Sequence, residues 1–507
     1  MRRALGFALL PVATLWFMLG PAPWAATNPR ELVFVEGTDV VPLDPQFVTS
    51  TPTWGPIRIL YDGLVTFDPD MQIVPRLARS FEVSADGNTW TFKLRPGVKF
   101  SDGSAFTARA VKFTLERAMA KETASPHRSL LLTVDRVETP DDLTVRIITK
   151  APNPELLVNL ASPGMSMLSP EATTRHSLKD YGRHPVGTGP YRLEEWTPGD
   201  RVVFVPNSHY WGSRPKLDRI IYRPVPEAGV RAAMLRTGEA DIVVKLTPED
   251  LKALEADPNI TVRSFNTMYQ ISFELNVEKG PLKDKRVRHA LNHAVDKASI
   301  VKNVLRGMGE PMVSPLGPGI ANRATFPMYA YDPARARQLL KEAGYPNGFP
   351  MTLWSPNGRY LKDREAAEAV QGFLQAVGVQ AELRLWEWGP YVEATAKDPN
   401  REAVMLGRAT PGTDFTVTRL FTKGSIGLYN TTNFWTPDLE ALIPQARSTF
   451  DPTKRADLYR RIQQIVWEDA PWIFLHNQKQ IVGLRKNVDG FAMLPHEIML
   501  LENVSKR

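Results

Sequence analysis

The sequence predicts an α/β protein arranged as two lobes, and three observations carry that expectation. The chain is 507 residues long, more than one ordinary hydrophobic core serves, so two cores are expected. Hydrophobic residues at 43% and charged residues at 23% are globular proportions that argue against disorder, while 43 prolines favour loops and strand edges over a helical bundle. From about residue 280, capped helices alternate with short apolar strands, the pattern of an α/β layer.

The opening "MRRALGFALLPVATLWFMLGPAPWAATNP" places Arg2 and Arg3 before an apolar run to Leu19, then small residues and proline. That order predicts a secretory signal peptide over residues 1–26, cleaved near Ala25 or Ala26. Pro11 interrupts the run and no charged stop follows it, which argues against a membrane anchor. No later segment approaches the roughly 18 apolar residues of a spanning helix. The sequence contains no cysteine, which excludes disulfides, thiolate metal sites, a cysteine nucleophile and a lipidated cysteine anchor. A freely diffusing periplasmic protein is expected. Lysine and arginine number 62 against 55 acids, and no basic run carries interleaved aromatics, so nucleic acid is not an expected partner.

Along the chain, "ELVFVEGTDVVPLDP" reads as a strand leaving through a loop, with Val33 and Val35 alternating against Phe34 and Glu36. Trp90, Phe92 and Leu94 share one side of the next clear strand, which ends in the Pro96-Gly97 turn. Thr107 can cap a helix whose Val111, Leu115, Ala118 and Met119 fall at helical spacing. Further on, Asp332 caps, Pro333 suits a first turn and Gly344 a left-handed exit. Ala367, Val370, Leu374 and Val377 form one helical face until Gly378, after which Val379, Ala381, Leu383 and Leu385 alternate. The same grammar returns with Leu458, Ile462, Ile465 and Val466 inward and "PWIFL" as the following strand.

Motifs of catalysis fail one by one. "GTGP", Gly187 to Pro190, lacks the third glycine of a dinucleotide loop, and Pro190 removes a donor that phosphate would need. A tight turn feeding the strand "YRLEEW" is expected there. Ser299 and Lys302 in "SIVK" match a serine-lysine spacing, but its companion triplets are absent. His289 and His293 stand four apart on a predicted helix, a geometry that can hold a metal, yet they flank a stripe of Val287, Ala290, Leu291, Ala294 and Val295, and no carboxylate is placed to complete a site. Neither a metal nor a cofactor is expected, and Glu194-Glu195 reads as a solvated strand edge.

Three stretches, Pro75 to Ala118, Pro185 to Trp211 and Phe273 to Val301, together resemble the family 5 extracellular solute-binding proteins, the dipeptide-, oligopeptide- and nickel-binding components of bacterial ATP-driven (ABC) importers. The resemblance implies a periplasmic binding protein fold of type II, like cluster C: two α/β lobes closing as a hinged trap, with an extra α+β subdomain in the first. It places lobe 1 at 27–265 with the subdomain at about 69–190, lobe 2 at 266–480, and a return to lobe 1 at 481–507, with hinge crossings near Phe265 to Asn276 and Gln478 to Leu484. It implies a monomer, not an enzyme, that captures a short peptide or peptide-like solute and delivers it to an inner-membrane ABC permease. A nickel chelate, an opine or an oligosaccharide are the alternative solutes; an exported serine hydrolase is the alternative from another class.

A closed cleft must pair the charges it buries. By resemblance, "LWSPNGRY" is the loop that anchors a ligand carboxylate, which makes Arg359 the candidate anchor, and arginine suits bidentate pairing. The second family loop departs from its pattern: "MLGRATPGTDF" has Arg408 where tryptophan is usual, and only Asp414 stands in for the amine-binding aspartate. If Arg408 also faces the cleft, two arginines favour an anionic ligand. Trp386, Trp388, Tyr269, Tyr360 and Trp435 are candidate aromatic lining, Tyr269 first because it sits on the predicted hinge strand. Thr38 and Asp39, in the loop Gly37 to Pro45, are the candidate polar contacts from lobe 1.

Overall fold

The computed structural model describes residues 30–410 and 412–507; the expected signal peptide lies outside them. Two α/β halves share one mixed sheet of 11 strands. In the first half, strand Glu31–Glu36 pairs in parallel with Arg219–Pro224 and Ile242–Val244. In the second, Pro350–Pro356 pairs in parallel with Gln380–Trp386 and Ala403–Arg408. Runs such as "LVFV" and "AVML" carry apolar side chains on both faces, which suits strands covered on both sides. Helix Asp363–Gln375 supplies one such cover through Ala366, Ala367, Val370 and Leu374. Gly378, at φ +98°, then turns the chain into strand Gln380–Trp386.

Strands Ile260–Leu275 and Trp472–Arg485 run through both halves, paired antiparallel from Ile260 opposite Arg485 to Glu274 opposite Trp472. Their register breaks in the middle. Asn266 pairs with Lys479 and Gln270 with Asn477, which leaves Thr267, Met268 and Tyr269 opposite Gln478 alone. Such a bulge bends its strand and re-aims side chains. It is held by Thr267 Oγ1 donating to the Gln478 carbonyl at 2.5 Å and Met268 N–H donating to Pro495 O at 2.8 Å. Separate hydrophobic cores lie to either side, one reaching from Leu32 through Val504 and the other from Tyr269 through Leu475. The C-terminal Lys506 reaches back to the first strand, its ammonium donating to Glu31 O at 2.8 Å and pairing with Asp241 at 2.9 Å.

The subdomain in the first half is a four-stranded antiparallel sheet, ordered Ala78–Val83, Thr89–Leu94, Thr144–Thr149 and Val134–Asp141, with helix Ala108–Met119 packed on it. Trp90, Phe92 and Leu94 are buried as their alternation predicts. Thr107 occupies the cap position, but its side chain makes no cap bond. Its carbonyl accepts from Ala110 N–H at 2.9 Å instead.

"GTGP" bends the chain over residues 188–190, where a turn is expected, and also serves packing. A Cβ on Gly187 would stand 2.1 Å from Leu60 O, and one on Gly189 2.5 Å from Ile59 O, so the segment lies flush against the end of helix Thr51–Leu60. It then enters strand Tyr191–Thr197.

Candidate functional site

Between the halves lies a cavity of about 80 Å³, with Thr49 and Thr51 on the first-half wall and Tyr269, Arg359, Tyr360, Trp388, Arg408 and Tyr429 on the second. Five of the sequence candidates, Arg359, Arg408, Tyr269, Tyr360 and Trp388, are therefore brought together. The bulge delivers Tyr269. Its hydroxyl donates across the interface to Thr51 Oγ1 at 2.6 Å and accepts from Arg359 Nη2. Trp388 Nε1–H donates to Ser50 Oγ at 2.8 Å, a second bond between the halves.

Arg359 is presented by a loop that Asp363 organises. The Asp363 carboxylate accepts from the backbone N–H groups of Gly358, Arg359 and Tyr360 at 3.0, 2.8 and 3.0 Å. Gly358, at φ +81°, lies against Pro226 of the first half, and Gly37 lies against the Gly358 carbonyl so closely that a Cβ on Gly37 would meet it at 2.1 Å. Two glycines thus let the halves touch backbone to backbone beside the site.

The Arg359 guanidinium is buried among three rings, with its carbon 4.6 Å from the Tyr360 centroid, 5.1 Å from Trp388 and 5.2 Å from Tyr269. Glu497, 3.7 Å away and also buried, offsets its charge. Its Nε and Nη1 have no hydrogen-bond partner in the protein. Buried donors of this kind are costly unless a ligand or water satisfies them. Next to it, Lys245 pairs with Glu36, and burial followed by repulsion from Arg359 pulls this lysine down to about 8.

Arg408 faces the same cavity but is not a free anion anchor. Glu274 takes its Nε and Nη2 at 2.6 and 2.8 Å, and the Glu274 carboxylate also accepts from Thr431. Asp414 is likewise engaged, accepting from Arg447 Nε at 2.9 and 3.0 Å, and lies outside the cavity lining. The carboxylate expected to meet a ligand amine is thus tied to an arginine of its own lobe.

The remaining candidates stand away from the cavity. Trp386 packs at a tilt against Trp354, ring centroids 4.9 Å apart, and Trp435 lies under Lys423. Thr38 is buried beneath Tyr222, whose hydroxyl donates to its carbonyl at 2.7 Å, while the Asp39 carboxylate accepts from Val40 and Gly199 N–H groups. His289 and His293 each bond a backbone carbonyl, of Glu468 and Ala330, and pack edge-on against Tyr329. Among the described residues no cluster of three or more His, Cys, Asp or Glu could hold a metal ion.

A second cavity, of about 330 Å³, lies on the other side of Tyr360 and is lined by residues such as Glu227, Arg231, Lys362, Arg364 and Glu368. It is larger, but its lining charges are of both signs, and the buried Arg231 and Asp363 among them are already bonded to backbone groups, so they define no ligand. The smaller cavity concentrates aromatic surface around the buried Arg359, beside the neutral Arg408–Glu274 pair, which is the chemistry of a binding site.

Residues 72–425 match the family described as Bacterial extracellular solute-binding proteins, family 5 Middle. The chain belongs to the family 5 extracellular solute-binding proteins. It is similar to the glutathione-binding protein GsiB of Pectobacterium atrosepticum, with 35% identity over 495 residues, 96% of this chain and 95% of that protein. Among solved structures, this solute-binding protein is similar to the ABC transporter-associated periplasmic binding protein DppA from Helicobacter pylori in complex with peptide STSA (28% identity, TM-score 0.88, covering 94% of this chain and 98% of that one). It is also similar to the binding protein MoaA in complex with mannopinic acid from A.tumefacien R10 (27% identity, TM-score 0.86, covering 95% and 100%). The two-lobed periplasmic binding protein fold is thereby shared, and the family is one of binding proteins rather than enzymes. No described helix is long and apolar enough to cross a membrane.

Several residues at the cleft of this solute-binding protein escaped sequence reasoning. Glu497 and Glu274 neutralise the two cavity arginines, Tyr429 forms part of the wall, and Arg419 is wholly buried beside it. Only Glu274 had a local signal, as an acid in the otherwise apolar crossing strand "YQISFEL".

Proposed function

We propose that this protein is the periplasmic binding component of an ABC importer, capturing a short peptide-like solute with a carboxylate, of the glutathione kind, and delivering it to an inner-membrane permease as a monomer. The observation that carries this is Arg359: a buried guanidinium within an aromatic ring of Tyr269, Tyr360 and Trp388, at the seam of two lobes, with two nitrogens that make no hydrogen bond in the protein. A carboxylate is the group that such a fork pairs with in bidentate fashion. The similarity to a glutathione-binding protein over nearly the whole of both chains supports the same solute class.

The lobes we propose are 27–265 with 481–507, and 266–480, with the hinge at the bulge around Tyr269, after removal of residues 1–26. The cavity of about 80 Å³ is too small to admit a solute of this class while the lobes stand as they do here, so the lobes part to take it in.

The test is native followed by denaturing mass spectrometry of the protein purified without refolding, together with calorimetric titration of glutathione, dipeptides and a neutral oligosaccharide. A co-purifying peptide-like acid and saturable binding of glutathione are expected. Bound nickel chelate or sugar, with no binding of any carboxylate-bearing peptide, overturns the proposal.

A further inference from the structure

Most of the charges buried at the cleft are paired with an opposite charge, or, like Asp363 and Arg231, bonded to backbone groups. Arg359 is offset by Glu497, Arg408 by Glu274, Lys245 by Glu36 and Asp414 by Arg447. Arg419, on helix Thr413–Phe421, is fully buried, and none of its three side-chain nitrogens has a hydrogen-bond partner. Its guanidinium carbon stands 3.8 Å from the Tyr429 centroid and 4.8 Å from that of Phe415. Arg408 stands over the same Tyr429 ring at 4.6 Å, so the ring is shared by two cations. Burial, together with Arg408, pulls Arg419 down to about 10. Two rings attract a guanidinium, but they satisfy none of its N–H groups.

Arg419 lies just behind the cavity lining, against one of its wall residues. Tyr429 is a wall of the Arg359 cavity. On the first lobe, helix Thr413–Phe421 packs on the turn Arg128–Leu131. His127, just before that turn, bonds the Val48 carbonyl through Nε2 and leaves Nδ1 unpartnered. Arg419 is among the charges that keep His127 neutral, second to burial. Thr49, next to Val48, is again cavity wall. Arg419 thus has a cavity wall residue, Tyr429, on its own lobe and, on the other, a histidine tied to the backbone next to the cavity; Gln, Met or Leu would fill its place without an uncompensated charge.

We infer that Arg419 is a second anion-recognising residue of the cleft, taking a further carboxylate of the solute beyond the one at Arg359, so that the solute carries one more negative than positive charge. This rests on the proposed capture of a peptide-like acid. It excludes zwitterionic dipeptides without acidic side chains as the preferred class and favours peptide-like acids with two carboxylates and one ammonium. An arginine buried without a counter-ion is unfavourable in the ligand-free protein, and the same deficit makes binding of the anion favourable and selective.

The experiment compares wild type with Arg419→Gln, Arg419→Met and the charge-keeping Arg419→Lys. Glutathione and glutathione amidated at its glycine carboxylate are titrated, and melting is followed with and without millimolar sodium sulfate. Glutathione affinity is expected to fall about 10- to 100-fold in Arg419→Gln and less in Arg419→Lys. The amide, weaker on wild type, should bind wild type and Arg419→Gln alike, and ligand-free Arg419→Met should melt above wild type. Equal loss for glutathione and its amide, or unchanged glutathione binding with a lower ligand-free melting point, overturns the inference and leaves Arg419 as a packing residue. If glutathione binds none of the proteins, the proposed solute fails separately and sulfate decides: greater stabilisation of wild type than of Arg419→Met upholds the anion site, and equal stabilisation overturns it.

Discussion

Arg408 and Glu274 meet through two hydrogen bonds, 2.6 and 2.8 Å long, between neighbouring strands of the second lobe, and both side chains are buried. The arginine that stands where a tryptophan is usual therefore brings its own counter-ion. It contributes to the cavity as a neutral pair, and the loss of either member strands a charge in the core.

Arg408→Gln should lower unfolding free energy by about 3–5 kcal/mol, the cost of breaking a buried pair from one side. The double variant with Glu274→Gln should recover most of it. Chemical denaturation of the three proteins measures both. Equal stability of the single and double variants would show that the pair is not coupled.

Arg359→Gln should weaken binding of a carboxylate-bearing solute by about 2–5 kcal/mol. Arg359→Lys should not restore it, because a point charge cannot reproduce the fork held among Tyr269, Tyr360 and Trp388. Titration calorimetry on both variants checks this, and full affinity in the lysine variant would contradict it.

Trp388→Phe removes the bond to Ser50 that spans the lobes while keeping the aromatic face toward Arg359. Closure should be disfavoured by about 0.5–1.5 kcal/mol. Small-angle scattering should then show a larger ligand-free radius of gyration, and affinity should fall by a similar free energy. An unchanged radius and affinity would mean that the bond does not contribute to closure.

Glu155 of the first lobe lies in the field of Asp414 of the second, with Arg447, Arg455 and Tyr459 around them. Burial first, and then the Asp414 carboxylate, push Glu155 from 4.5 up to about 7. A carboxyl raised in the folded state binds its proton more tightly there, so its stabilising contribution is complete below about 4.5 and is lost as pH rises through about 7. The melting point of wild type should fall from about pH 5 to about pH 7 relative to Glu155→Gln. Parallel melting curves for the two proteins across that range would refute it.

Local grammar was readable wherever a single element decides the outcome. Gly344 and Gly378 do adopt left-handed conformations, and Ala367, Val370, Leu374 and Val377 are buried as one face. Helix Pro452–Asp469 shows the limit: Leu458 and Ile465, expected inward, are only partly buried, whereas Tyr459, Gln463 and Trp467 are buried. Gln463 goes in because its amide serves carbonyls of Asn322 and Tyr459, a tertiary demand that periodicity does not contain. Leu385 is exposed because its strand forms the sheet edge. The site was half legible for the same reason. Arg359, Arg408, Tyr269, Tyr360 and Trp388 line one cavity, but the partners that set their charge, Glu497 and Glu274, depend on strand register and on the C-terminal segment folding over the seam.

The contact between Gly37 and Gly358 gives the trap a mechanical stop. On the proposed closure, a methyl group at Gly37 acts as a wedge: it lies outside the lining of the Arg359 cavity, leaves the side chains of that lining in place, and still lowers the fraction of molecules able to shut. Apparent affinity scales with that fraction. The tightness of solute retention is therefore adjustable at a position outside the cavity lining, independently of the residues that choose the solute.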